Sequence, residues 1–176
     1  PEQYARNLLQ VRKRYYMKRG CKPGDIGIKK DEHRMISFLL DVFPNAELIL
    51  GKSIGKDCTE TGTHRFPDVM LVWKCYHVVF ECDENAHRGK AYSCDWRRMN
   101  EVAISVGAPV WFLRWNPQGD TSLEELKRTA NEIMAKEPEV IEWKFYDQFN
   151  VTYLGYNASQ MQRQKERKQF AEQQKS

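Results

Sequence analysis

Asp68 opens an apolar run, Asp68-Val-Met-Leu-Val-Trp, and Glu81 lies near the end of the next, His77-Val-Val-Phe-Glu-Cys82. The two carboxylates are 13 residues apart, with the short link Lys74-Cys75-Tyr76 between the runs. A hairpin turning at that link brings Asp68 and Glu81 side by side at one end of a sheet. Both runs are Val-rich and nearly continuous in hydrophobicity, as central strands are. A single acidic residue at a strand end is ordinarily a solvated turn residue. A pair at the edge of an apolar sheet suits a hard cation such as Mg²⁺ or Mn²⁺, which needs few protein oxygens and keeps its waters. Such a cation polarises a phosphoryl oxygen and acidifies its water, which is what phosphodiester hydrolysis requires. His87, in the polar loop after Glu81, is an imidazole of near-neutral pKa placed for proton transfer. His33, His64 and His77 carry no comparable context.

The elements that must position these groups follow from hydrophobic period and breakers. Residues 3–18 read as a basic amphipathic helix, broken at Gly20–Asp25. Asp31–Val42 reads as a second helix, with Met35, Ile36, Leu39 and Phe43 on one stripe, stopped at Pro44. Ala46–Leu50 is a predicted strand and Gly51–Thr63 a polar loop. After the hairpin come a loop over Asp83–Tyr92, a helix over Ser93–Val106 and a buried strand over Val110–Leu113. A further helix starts near Ser122, where Ser122 and Glu125 have capping-box spacing. Ile141–Tyr146 reads as the last strand. This order describes an α/β sandwich with a mixed central sheet. The five tryptophans, residues 73, 96, 111, 115 and 143, read as core or domain-face residues.

Three segments emerge: a basic N-terminal helix and linker (1–30), an α/β domain (31–156), and a Gln/Lys-rich tail (157–176) that is either a lone exposed helix or disordered. Nine Lys/Arg against two Asp/Glu fall in residues 1–30, and five against two in 157–176. With a net charge of +4 overall, the body is therefore acidic. Basic arms such as Arg12-Lys13-Arg14 neutralise phosphate, while an acidic body concentrates metal-binding carboxylates. Solvated helix faces would give the same arms. The five cysteines form no C-x-x-C pair, against a zinc ribbon or a disulfide framework, and Cys75 and Cys82 lie in apolar stretches as core residues. A reducing, intracellular location, nuclear or cytoplasmic, is expected, with no membrane span. The opening Pro1 leaves room for a longer polypeptide whose other parts would be partners or targeting modules.

Four motifs occur in order: Arg65-Phe-Pro-Asp68; Glu81-Cys-Asp-Glu-Asn-Ala-His87; Cys94-Asp-Trp-Arg-Arg-Met99; and Phe112-Leu-Arg-Trp-Asn-Pro117. Together they resemble the PD-(D/E)XK endonuclease superfamily, closest to its very-short-patch-repair and EDxHD homing-endonuclease branch, over about residues 31–147. The resemblance implies a restriction-endonuclease-like fold, a mixed sheet flanked by helices, and a divalent-metal-dependent endonuclease acting on DNA. It implies Asp68 as principal metal ligand and Glu81 as the second position of the core signature. His87 would take the role of the usual lysine, Asp95 would match the aspartate that follows, and Glu32 the branch's first glutamate. Arg98 and Arg114 would match arginines that support the site or contact phosphate. Phe145-Tyr146-Asp147 resembles the tyrosine-aspartate end of a late strand. The chain departs from the pattern where the lysine of E-x-K is Asp83, leaving His87 or Lys90 to supply a proton-shuttling or positive group. Two other readings stand beside the nuclease: a degenerate nucleic-acid-binding module on the same fold, and an interaction protein whose carboxylates are surface charge.

Overall fold

The computed structural model describes residues 30–50, 67–84, 95–144 and 148–173, together with Gln10. The helix expected over 3–18, the loop over 51–63 and the residues His87 and Lys90 lie outside the described residues.

The chain is α/β; among the described residues a five-stranded mixed sheet is flanked by four α-helices. In chain order these are α1 (Lys30–Val42), β1 (Leu48–Leu50), β2 (Val69–Trp73), β3 (Tyr76–Cys82), α2 (Asp95–Val106), β4 (Val110–Trp115), α3 (Leu123–Met134), β5 (Phe149–Leu154) and α4 (Ala158–Gln173). The strands lie in chain order; β1, β2 and β3 are antiparallel, and β4 and β5 continue parallel to β3. The β2–β3 hairpin closes on Lys74-Cys75, with Lys74 in the left-handed region (φ 38°), as tight hairpin turns demand. Cys75 is therefore exposed in the turn and not a core residue; Cys82 is buried as expected.

Strand alternation divides the core in two. Val69, Leu71, Tyr76, Val78, Phe80, Leu113 and Trp115 face α1 and α3, which contribute Met35, Ile36, Leu39, Leu126, Ala130 and Ile133. Met70, Val79, Val110, Phe112 and Phe149 face α2, which contributes Trp96, Met99, Val102 and Ala103. The i, i+3, i+4 stripe of α1 is the one its sequence announces. The Ser122 hydroxyl accepts from the Glu125 amide at 3.2 Å and caps α3. At the other end of α3, Tyr76 and Trp73 donate to the Ile133 and Met134 carbonyls at 2.9 and 3.1 Å. The crossovers β3–α2–β4 and β4–α3–β5 advance the same way across the sheet on opposite faces, so they are of opposite hand.

Two expectations are corrected. Ile141–Lys144 is not a strand; the last strand is Phe149–Leu154, and residues 145–147 lie outside the described residues. The segment is tied to β5 by one side chain, Asn150, which accepts from the Lys144 amide and donates to the Glu142 carbonyl, both at 2.9 Å. Trp143 meanwhile packs edge-on against Tyr76 and Trp111. The tail from 158 to 173 is neither lone nor disordered: α4 lies against α2, with Gln160 and Gln164 buried and the Trp96 indole donating to the Gln164 carbonyl at 3.3 Å. No described helix is long and apolar enough to cross a membrane.

Candidate active site

The ladder ends with Val69 opposite Phe80, and Asp68 and Glu81 are the next residues beyond that pair. Alternation along β3 sends Glu81, like Val79, to the face covered by α2. Asp68 is anchored just ahead of β2 by its Oδ2, which accepts the Cys82 amide at 2.8 Å. Glu81 is buried, and its two oxygens receive Arg98 Nη2, from the first turn of α2, at 3.0 and 3.1 Å.

Glu81 is paired across the parallel ladder with Arg114, and Arg114 with Tyr153, so the same end of β4 and β5 is polar. Arg114, only 2% exposed, forks onto Asp83: Nε to Oδ2 at 2.5 Å and Nη2 to Oδ1 at 2.9 Å. Asp83 is fully buried and also accepts the Tyr156 hydroxyl. Burial, then the negative charge of Asp83, pushes the Tyr156 phenol well above its ordinary range. Tyr153 stacks edge-on against Tyr156 at 5.0 Å and lies under the Arg114 guanidinium at 6.0 Å.

The electrostatics are those of a carboxylate-rich end. Burial raises the Glu81 carboxyl to about 7; Arg98 opposes the shift, and Asp68 and Asp83 add to it. The Cys82 thiol is pushed far up, first by burial and then by Asp68, Glu84, Asp83 and Glu32. Glu32 thus acts on the same strand end from the other face: it is buried on α1, on the stripe of Met35, Ile36 and Leu39.

Of the residues singled out by sequence, Asp68, Glu81, Arg98 and Arg114 gather at one sheet end, with Glu32 reaching that end from α1. Asp95 begins α2 one turn before Arg98. His87, Lys90, Arg12, Lys13 and Arg14 lie outside the described residues. Arg114 is turned inward, its guanidinium locked on the buried Asp83. Sequence reasoning missed Asp83 as an anchor and Tyr156 altogether. Asp83 follows Glu81 by two, which puts both on one side of an extended chain, and that spacing was a usable signal. Tyr156 sits beyond the last strand, and only the three-dimensional turn at Gly155 returns it to Asp83. That turn is tight: Gly155 has φ 72°, and its carbonyl accepts Asn116 Nδ2 at 2.8 Å.

Among the described residues, no group of three or more His, Cys, Asp or Glu is arranged to hold a metal ion. The Asp68–Glu81 pair matches the smaller demand of Mg²⁺, which binds through one or two carboxylates and retains water. A buried carboxylate raised by neighbouring carboxylates is also one that a cation would relieve. Comparison with protein-family models, curated proteins and solved structures returned no match.

Proposed function

We propose that this protein is a divalent-metal-dependent endonuclease that hydrolyses DNA phosphodiester bonds. The observation that carries the reading is that Asp68 and Glu81 flank the same end of the β2–β3 ladder, just beyond the Val69–Phe80 pair, with Asp68 held on the Cys82 amide. Asp68 and Glu81 would hold Mg²⁺ or Mn²⁺, which when bound supplies Lewis acidity toward a phosphoryl oxygen and an acidified water. Asp68 is held by the Cys82 amide, so its carboxylate is oriented before any cation arrives. Asp83, Arg114 and Tyr156 fix the ends of β3, β4 and β5 relative to one another, which sets the position of Glu81. His87 would move the proton, taking the role that lysine has in the resembled family.

One feature favours a second reading, a catalytically degenerate nucleic-acid-binding module. The position of the family's lysine is held by Asp83, whose carboxylate is buried under Arg114 and Tyr156. A nicking assay on supercoiled plasmid in Mg²⁺, Mn²⁺ and EDTA decides between them. Asp68→Asn keeps shape and removes the ligand's charge, so cleavage should fall by orders of magnitude and the calorimetric heat of Mn²⁺ binding should vanish. His87→Ala should lose ~10²–10⁴-fold in turnover, the usual worth of proton transfer, and keep that heat. Cleavage that persists in EDTA, or Asp68→Asn at the wild-type rate, refutes the mechanism. A wild type that binds metal and DNA but never cuts is the degenerate module.

A further inference from the structure

The ends of β4 and β5 open onto a cleft that the carboxylate pair does not use. β4 runs on into α3, which packs on one face of the sheet, and β5 into α4, which lies against α2 on the other. Loops that leave neighbouring parallel strands for opposite faces part from each other, and in open α/β sheets ligands lie in that crevice. Here it is a cleft of about 310 Å³, at the small end of ligand sites, between residues 116–121 and 155–160. Its floor is backbone: a Cβ on Gly119 would stand 1.9 Å from the Gly155 carbonyl oxygen, so the two loops meet at glycine.

The lining selects the occupant. Among the described residues no Lys or Arg lines the cleft, whereas Asp120 and Glu125 do; Arg128, close by, is bonded to Glu125 and Glu132. Such a lining turns away a phosphate. Tyr156, its hydroxyl fixed on Asp83, supplies an aromatic wall. Gln160 is only 7% exposed; its Oε1 accepts the Asn157 amide at 2.8 Å, and its own amide donates to Asn157 Oδ1 at 2.9 Å. That reciprocal cap of α4 fixes which way the side-chain amide points. It leaves Nε2, a donor with no hydrogen bond among the described residues, at the cleft. A largely buried amide with an open donor suits a ligand that brings an acceptor.

We infer that this cleft binds one nucleobase of the DNA, drawn out of its stack. The ring lies against Tyr156, an acceptor on its edge receives Gln160 Nε2, and Asp120 accepts from a base amino group. A base is flat and uncharged and carries both acceptors and donors on its edge, which fits an acidic, amide-lined cleft as a phosphate does not. The inference rests on DNA as the substrate of the proposed nuclease and adds how that substrate is held; no metal enters it.

Fluorescence anisotropy with the full chain in EDTA compares two labelled duplexes. One has a single unpaired nucleotide, whose extrusion costs least, and the other an abasic unit at the same place. The wild type should bind the first about 5-fold or more tightly, the low end of base–aromatic stacking. Gln160→Glu keeps the oxygen that caps α4 but turns the open donor into an acceptor. It should bring that ratio toward one, whatever its added charge does to both affinities. Equal wild-type affinities overturn the nucleobase site and leave the nuclease reading standing. A ratio unchanged in Gln160→Glu puts the base elsewhere and overturns it too. Binding of neither duplex removes DNA as substrate, and this inference with it. Should circular dichroism show Gln160→Glu unfolded, the wild type decides. The Gln160 side-chain amide resonance should shift on saturation with the unpaired-base duplex and not with the abasic one; the same response to both overturns the proposal.

Discussion

The buried Arg114–Asp83 pair offers the sharpest test of how this sheet end is built. Asp83 has no exposed surface and Arg114 almost none, and their contact is a two-bond fork. Truncating Arg114 to Met keeps most of the apolar stem but strips a buried carboxylate of its two guanidinium hydrogen bonds. Removing one partner of a buried ion pair costs about 3–5 kcal/mol, because the remaining charge is stranded. Against a total stability of about 5–15 kcal/mol, that is a third or more of what holds the domain folded. Replacing both, as Asp83→Leu with Arg114→Met, strands no charge, leaves the Tyr156 hydroxyl without this acceptor, and should recover most of the loss. Tyr156→Phe removes one hydrogen bond to a charged group, worth about 1.5–3 kcal/mol. Equilibrium urea denaturation of the two singles and the double gives the coupling directly. The reasoning fails if Arg114→Met costs under about 1 kcal/mol, or if the double variant is as unstable as the sum of the singles.

Two further outcomes are expected. Tyr76 lies at the turn end of β3, opposite the carboxylates, and its hydroxyl closes the last turn of α3, so Tyr76→Phe should cost about 1–3 kcal/mol by urea denaturation and leave metal binding unchanged. The basic segment 1–30 should contribute phosphate contacts, so deleting residues 1–19 should flatten the salt dependence of DNA binding measured by anisotropy; an unchanged slope assigns the segment another role.

Much of the framework was legible in residue order because local rules and tertiary packing agree there. The β2–β3 hairpin and its register from Val69–Phe80 to Trp73–Tyr76 follow from two apolar runs and a short link, since register in a tight hairpin leaves little choice. The stripe of α1 and the Ser122–Glu125 cap are equally local. The errors arose where the deciding contact was remote in sequence. Ile141-Glu-Trp-Lys alternates as a strand does, and its apolar residues do pack on the core, but its backbone is held by the Asn150 side chain instead of a ladder. Alternation reports which side is buried, not where the backbone hydrogen bonds go. A helix was one of the two readings of the tail, and its packing as α4 was missed for the converse reason. Its buried positions, Gln160 and Gln164, are amides, so a search for an apolar face finds none, and the indole of Trp96 that meets it is 68 residues away.

The same distinction explains the departure at Asp83. Read along the chain, an aspartate where the resembled family has lysine is a missing cation. In the folded protein it is half of a pair whose other half is Arg114, one strand over, and the Tyr156 hydroxyl also donates to it. The positive charge near Glu81 has therefore not been lost from this end of the sheet. It is carried by Arg98 at the carboxylate itself and by Arg114 behind it, the two cations that hold the Glu81 carboxyl down against burial and its acidic neighbours. A lysine at position 83 would set a second cation against Arg114 in a site with no exposed surface, so the residue at 83 and the arginine at 114 are one physical unit. Among the described residues, the group that meets Glu81 from outside that unit is Arg98, whose Nη2 donates to both carboxylate oxygens.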